Sequence, residues 1–391
     1  MLSEPVSSLA AEETSGRYIY IACPWTPKGG GMFKIADYLI QAQSFSVSPG
    51  FAELRPLDTR GNSNPLYSLF VLVSAVGQLM KGRVSGRLAG VHVNMAERLS
   101  LFRKSLVIIA CKVLGVPVVL HLHAAQLHHF YRALPRPLRA MTRWVFSVPA
   151  SCVVLGSAAQ RFVIEELKVP ANRVDIVING VPEPIEGRQA STKAGISRVL
   201  FVGNLSERKG VSDLLDAVAL SGLDASQLMV TFAGGGDIEK YQKKTEALGI
   251  DGFVQFEGWS DQQKVANLMA CSDVLVLTSY DEGLPLVILE ALANGLAVIC
   301  TPVGEIPSVL TDGVNAFFVP PGNVQAIAAS LKTVLKDAAL RQAVGRNGRA
   351  LFEARFSLAR FFASVARIHQ CHFGIAGQPS PTTGVSNKET T

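Results

Sequence analysis

The stretch Asp273-Val-Leu-Val-Leu-Thr-Ser-Tyr-Asp-Glu-Gly-Leu-Pro-Leu-Val-Ile-Leu-Glu-Ala-Leu-Ala-Asn-Gly295 decides how this chain is read. It opens on a short apolar run rich in β-branched residues, passes through a polar turn, and continues with apolar residues at helical spacing up to a glycine. A strand, a turn and a helix therefore follow one another directly. Pro285 is expected at the first helical position, where its missing N–H would have no helical partner in any case. The N–H groups of Gly283, Leu284 and Leu286 then face a ligand, and the positive end of the helix dipole favours an anion such as a diphosphate. Glu282 stands at the turn and Glu290 in the second helical turn, where carboxylates accept hydrogen bonds from ligand hydroxyls.

The same rhythm recurs on both sides of this stretch. Short apolar runs at 18–22, 90–93, 117–120, 151–155 and 174–178 alternate with helical patterns, as in βα units feeding a parallel sheet. The rhythm pauses at 179–188, where two prolines and several turn residues mark an interdomain connection. A second round has strands at 198–202, 228–232, 253–256, 273–277, 297–300 and 316–319. The implied fold is α/β, with two Rossmann-like doubly wound domains facing across a cleft formed by the carboxyl ends of both sheets. The boundaries follow: a flexible N-terminus at 1–16, a first domain at 17–185, a second at 190–350, a helix within 351–376 packing back on the first domain, and a disordered polar tail at 377–391.

Composition limits what such a molecule does. The 391 residues are 48% hydrophobic and 17% charged, with 37 Lys+Arg against 31 Asp+Glu, a mild basic excess that does not call for nucleic acid. Six cysteines show no CxxC pair or regular spacing, so reduced cytoplasmic thiols are expected rather than a zinc site or disulfides. No charged-then-apolar secretory signal is evident at the N-terminus. The apolar run 66–80 is too short to span a bilayer and reads as a buried helix. Lys81, Arg83 and Arg87 follow it directly, which also suits a helix lying on anionic headgroups.

Other loops after strands supply the cations and glycines that a diphosphate needs. Gly203-Asn204-Leu-Ser-Glu-Arg208-Lys209-Gly210 offers Arg208 as a forked donor and Lys209 as a point charge for a phosphate leaving with negative charge. Gly234 and Gly235, and Gly30 and Gly31 within Lys28-Gly-Gly-Gly31, allow close backbone approach from opposite sides of the cleft. The strand at 117–120 runs into His121 and His123, which alternation places on one face. His128 and His129 lie nearby, but no carboxylate or thiolate completes a metal set. Lys28-Gly-Gly-Gly31 does not fit the G-x-G-x-x-G fingerprint of nicotinamide enzymes.

Taken in order, Gly203…Arg208-Lys209-Gly210, Ala233-Gly234-Gly235, Glu282-Gly283-Leu284-Pro285…Glu290-Ala291 with Gly295, and Pro302-Val-Gly-Glu305 resemble the retaining GT-B glycosyltransferases of family 4, including bacterial enzymes of exopolysaccharide and lipopolysaccharide assembly. The first domain matches more loosely, through its glycines, His123, Ser157 and Ile178-Asn179-Gly180-Val181. The resemblance implies a nucleotide-sugar donor, GDP- or UDP-linked, with Glu282 on the hexose, Glu290 on the ribose, Arg208 and Lys209 on the diphosphate, and His123 touching the hexose. It implies a first domain that binds the acceptor, a saccharide or a polyprenyl-diphosphate-linked saccharide, and catalysis without a metal or other cofactor. It also implies a cytoplasmic enzyme peripheral to the inner face of the membrane, with Arg83, Arg87, Arg103, Lys104, Arg132, Arg136, Arg139 and Arg143 approaching anionic lipid. One departure stands out: family members often have Gly-Arg where this chain has Gly203-Asn204. The alternatives on the same scaffold are a nucleotide-sugar epimerase and a silent binding protein.

Overall fold

The structure, a computed structural model, describes residues 16–26, 30–43, 52–62, 64–124, 126–184 and 196–375. The expectations for the first fifteen residues, for Lys28 and Gly29, and for the tail at 377–391 lie outside them. The first domain runs β1 (Tyr18–Cys23), α1 (Gly30–Gln43), β2 (Glu53–Asp58), α2 (Pro65–Val84), β3 (Leu88–Met95), α3 (Leu99–Leu114), β4 (Val118–Leu122), α4 (Leu127–Ala133), α5 (Arg136–Ser147), β5 (Ser151–Val154), α6 (Ser157–Glu165) and β6 (Val174–Ile176). The second runs β7 (Ser197–Val202), α7 (Val211–Ser221), β8 (Leu228–Ala233), α8 (Ile238–Leu248), β9 (Val254–Gly258), α9 (Gln262–Ala270), β10 (Val274–Leu277), α10 (Leu286–Ala293), β11 (Ala297–Cys300), α11 (Ile306–Val309), β12 (Phe317–Phe318) and α12 (Val324–Lys336). Helices α13 (Ala338–Arg355) and α14 (Leu358–Phe373) follow.

Both sheets are parallel, in the orders β2-β1-β3-β4-β5-β6 and β12-β11-β10-β7-β8-β9. Strands β1, β3, β4, β10 and β11 are buried along their whole length, because helices cover both faces of each sheet. In each sheet the strand order reverses beside the first strand, between β1 and β3 and between β7 and β10, where open sheets leave a crevice at their carboxyl ends. Strand β2, Glu-Leu-Arg-Pro-Leu-Asp, gave no strand signal in the sequence. Its edge position explains this: Pro56 needs no ladder donor there, and Glu53 and Arg55 face solvent.

The C-terminal helix returns to the first domain. The N–H of Val181 donates to Phe356 O at 3.0 Å and that of Leu358 to Val181 O at 2.9 Å, so the chain crosses back at the interdomain segment. A Cβ on Gly90 would sit 2.4 Å from the Phe373 ring, so only glycine lets the end of α14 pack on β3.

Two sequence expectations need correction. Helix α2 is not a buried helix: Leu72, Ala75 and Leu79 form its buried seam, while Leu66, Leu69, Phe70, Val73 and Met80 are exposed. It is apolar on more than one side, and the sheet can cover only one of them. Lys104, expected to approach lipid, is buried and donates to Thr59 Oγ1, with burial pushing its ammonium down to about 7. Arg132, by contrast, stays exposed, its guanidinium forking onto Glu166 at 3.1 and 2.5 Å.

Candidate active site

A cleft of about 1030 Å³ lies between the domains at both strand-order reversals. Gly30, Gly31, His123, Gly203, Asn204, Arg208, Lys209, Gly234, Gly235, Glu282, Gly283, Leu284, Pro285, Leu286 and Glu290 all line it, whereas Ser157, Gly295 and Glu305, also named in the sequence, lie outside its lining.

Backbone contacts between loops bring this about. Gly203 N–H donates to Ala233 O at 2.9 Å and Leu205 N–H to Gly235 O at 2.6 Å, which holds the loops after β7 and β8 together. A Cβ on Gly234 would lie 1.9 Å from Gly203 O, so this approach requires glycine. The basic turn at Glu207–Lys209 ends on Gly210 at φ +66°, whose Cβ would meet Thr278 O at 2.1 Å. That contact presses Arg208 and Lys209 onto the loop after β10. Tyr280 N–H donates to Arg208 O at 2.9 Å, Arg208 Nη1 donates to Asp281 O at 2.7 Å, and Lys209 Nζ pairs with Glu282 Oε1.

Pro285 is displaced by one residue from its expected place. It is the N-cap of α10, with ψ 127°, and Leu286 takes the first helical position. The first-turn N–H groups of a helix have no acceptor within it, so this end of α10 keeps its affinity for anions. Its apolar sequence buries Leu286, Ile288, Leu289 and Leu292 in the second domain, which fixes the direction of its axis.

The first domain contributes more than was legible. Lys34, one turn into α1, pairs with Glu290, and Tyr38 Oη donates to Glu290 Oε1 at 3.3 Å. Burial and the neighbouring Glu290 carboxylate push the Tyr38 phenol upward, so it stays a donor. Gln262 Nε2 donates to Tyr38 Oη at 3.1 Å, and Gln126 Nε2 donates to Asp281 Oδ2 at 2.6 Å. Glu305, buried beyond β11, accepts from Ala159 N–H at 3.0 Å and so caps α6 of the facing domain. Lys34 had one weak signal in the sequence, its place four residues after Gly30; Gln126 had none.

His123 reaches the cleft from the end of β4. Its Nε2 lies 2.7 Å from Asn94 Oδ1, and its ring is 4.1 Å from that of His121. His121 Nδ1 lies 3.2 Å from His92 Nε2, and His92 Nδ1 lies 2.8 Å from Nε2 of His369 on α14. Loss of water around the rings holds His123 and His92 down to about 3, with His92 adding to the effect on His123. A neutral His123 that donates through Nε2 to Asn94 keeps Nδ1 as an acceptor. Among the described residues no group of three or more His, Cys, Asp or Glu side chains is arranged to hold a metal ion.

Two doubly wound domains that close on a cleft at both strand-order reversals define the GT-B architecture. Residues 187–351, the span of the second domain, match the family described as "Glycosyl transferases group 1". Similar chains include an uncharacterized glycosyltransferase of Methanocaldococcus jannaschii, 26% identical over 252 residues, or 60% of this chain and 64% of that one. The lipopolysaccharide core biosynthesis glycosyltransferase LpsE of Rhizobium meliloti is 29% identical over 174 residues, or 44% of this chain and 49% of its own length. The match therefore spans only about half to two thirds of these relatives. The crystal structure of Anabaena HepE with UDP-glucose shares the fold at TM-score 0.71 and 19% identity, covering 90% of this chain and 99% of HepE.

Proposed function

We propose that the protein is a retaining, metal-independent hexosyltransferase of family 4. It moves a hexose from a UDP- or GDP-linked donor to a saccharide or lipid-linked saccharide at the inner membrane face, in cell-surface polysaccharide synthesis. The observation that carries this reading is the convergence of Arg208, Lys209 and the N-terminus of α10 on the cleft that His123 lines from the first domain. A diphosphate seated there meets two cations and a helix dipole, and these offset the charge that develops as it leaves. Glu282 accepts from hexose hydroxyls and Glu290 from the ribose. Neutral His123 accepts through Nδ1 from the hexose on the other side. The bond from the anomeric carbon to the diphosphate breaks with its electron pair going to the phosphate, and the acceptor oxygen bonds to the same face. The acceptor's hydroxyl proton passes to the departing phosphate oxygen, so no side-chain nucleophile is needed.

The names of relatives support the polysaccharide setting: LpsE acts in lipopolysaccharide core biosynthesis, and AmsK of Erwinia amylovora, 26% identical over 207 residues, in amylovoran biosynthesis. HepE with bound UDP-glucose favours a UDP-sugar as the first donor to test. The test is a thermal-shift panel of UDP, GDP, ADP and their sugars. One nucleotide at a hundred times its Kd should add about 2.7 kcal/mol of apparent stability. No shift with any of them would overturn the reading, and labelled donor converted to the epimeric sugar in the absence of any acceptor would point to an epimerase.

A further inference from the structure

Helix α2 carries two apolar stripes. Leu72, Ala75, Leu79 and Gly82 face the sheet, and Gly82 is packed so closely on Tyr18 that its Cβ would meet the phenol oxygen at 2.5 Å. Leu66, Leu69, Phe70, Val73, Met80 and Val84 form the second stripe, roughly 150° round the helix at 3.6 residues per turn. These side chains are not grazed by solvent but stand in it: Leu66 is 79% exposed, Phe70 67% and Val73 64%. The neighbouring helix α3 repeats the pattern at seven-residue spacing, with Leu99 69% and Val113 81% exposed and Leu106 between them. So large an exposed apolar face calls for a partner.

Charge says which partner. From residue 59 to residue 164 the chain has thirteen Lys and Arg and a single acid, Glu97, although the whole chain carries a net charge of only +6. Helices α2, α3 and α5 contain no acidic residue. Lys81, Arg83, Arg98, Lys112 and Arg143 are exposed beside the apolar stripes, and Lys112 lies over the Trp144 ring at 4.8 Å. A second copy meeting this face through a two-fold axis would bring the same excess of cations against it, which disfavours self-association. Among the described residues no helix is long and apolar enough to cross a membrane, so any contact of this face with a bilayer is one of surface seating.

We propose that the α2–α3 face seats in an anionic phospholipid surface, with its apolar stripes at the acyl boundary and its cations among the headgroups. Both helices start at the carboxyl edge of the sheet, the edge that carries the cleft, and Arg98, which precedes α3, lines the cleft itself. Docking therefore brings the cleft's lip to headgroup depth, where a lipid-linked acceptor presents its saccharide without leaving the membrane. The route of the acceptor rests on the transferase reading above; the docking does not.

The experiment is co-sedimentation of the full chain with phosphatidylglycerol vesicles and with phosphatidylcholine vesicles, without donor. The wild type should partition to phosphatidylglycerol, weaken about fivefold for each headgroup contact screened by salt, and bind phosphatidylcholine poorly. The triple variant Leu66→Ser, Phe70→Ser, Val73→Ser should lose about 10²-fold or more in partitioning, with an unchanged melting temperature and nucleotide shift. Wild-type protein that stays in the supernatant with phosphatidylglycerol, or a triple variant that sediments like wild type, overturns the proposal. So does a lipid-free dimer that the triple variant converts to monomer, since a second copy would then cover the face. Failure of the nucleotide panel with vesicle binding intact would instead overturn the transferase reading alone.

Discussion

Lys209→Ala is the sharpest test of the diphosphate grip. The ammonium pairs with Glu282, and the two side chains are only 13% and 11% exposed, so the charge acts where solvent screening is weak. At the effective dielectric of about 20 that suits such sites, unit charges about 4 Å apart interact by about 4 kcal/mol before desolvation is subtracted. Removing one preorganised contact to a developing oxyanion costs about 2.7–4 kcal/mol in comparable cases, or about 10²–10³ in kcat. The two routes agree, so kcat should fall about 10²–10³-fold, with KM changing much less because the leaving phosphate gains its charge in the transition state. The assay is release of nucleoside diphosphate from the donor identified by the thermal-shift panel, with acceptor saturating. The variant also leaves the Glu282 carboxylate without its cation, which costs stability as well. Adding Glu282→Gln should return the melting temperature toward wild type without restoring the rate. A folded Lys209→Ala enzyme within threefold of wild-type kcat would refute the assignment.

Gly234→Ala would put a methyl 1.9 Å from Gly203 O, whereas Gly235→Ala meets nothing within 4 Å. The first should lose about 1–3 kcal/mol or more together with its nucleotide shift, the second little of either; equal melting temperatures would contradict the loop packing. Acid should unfold the protein through its histidines. His92 and His123 are held down to about 3 in the fold against roughly 6.5 when unfolded, and His121 and His369 are pushed down as well. Because the folded values lie below the unfolded ones, the unfolded state takes up the protons, and stability is lost as pH falls below about 6.5. His92 alone contributes about 1.4 kcal/mol of that loss by pH 5.5, so urea midpoints should drop clearly between pH 7.5 and 5.5; coincident midpoints would count against it.

Local chemistry was legible in the sequence where a segment carries its own signal. The stretch from Asp273 to Gly295 announces strand, turn and helix by composition, and the glycines at 210 and 234 mark approaches that backbone geometry then demands. Register at ends was less legible: Pro285 fits either side of a helix start, and its ψ decided for the N-cap. What stayed hidden depends on partners distant in the chain. The pairing of Lys34 with Glu290 joins residues 256 apart, and the capping of α6 by Glu305 joins residues that no periodicity relates. The exposure of α2 was hidden for another reason: an apolar run does not say how many of its sides the fold will cover.

These long-range contacts tie the donor grip to the closure of the domains. Glu290 is held by Lys34 and Tyr38 from the first domain, Asp281 by Gln126, and Glu305 by the start of α6, while Arg208 is braced on Asp281 itself. The acidic loop after β10 therefore carries both the proposed ligand contacts and contacts between domains. A carboxylate offers about four lone-pair sites, so Glu290 can accept a ribose hydroxyl while keeping its lysine. Ligand and facing domain then stabilise one arrangement of the same carboxylate, and each strengthens the other's hold by reciprocal coupling. A substitution that loosens the interface at Gln126, remote from the phosphate cations, should therefore raise KM and lower kcat together, the pattern of impaired closure rather than of a lost contact to the leaving group.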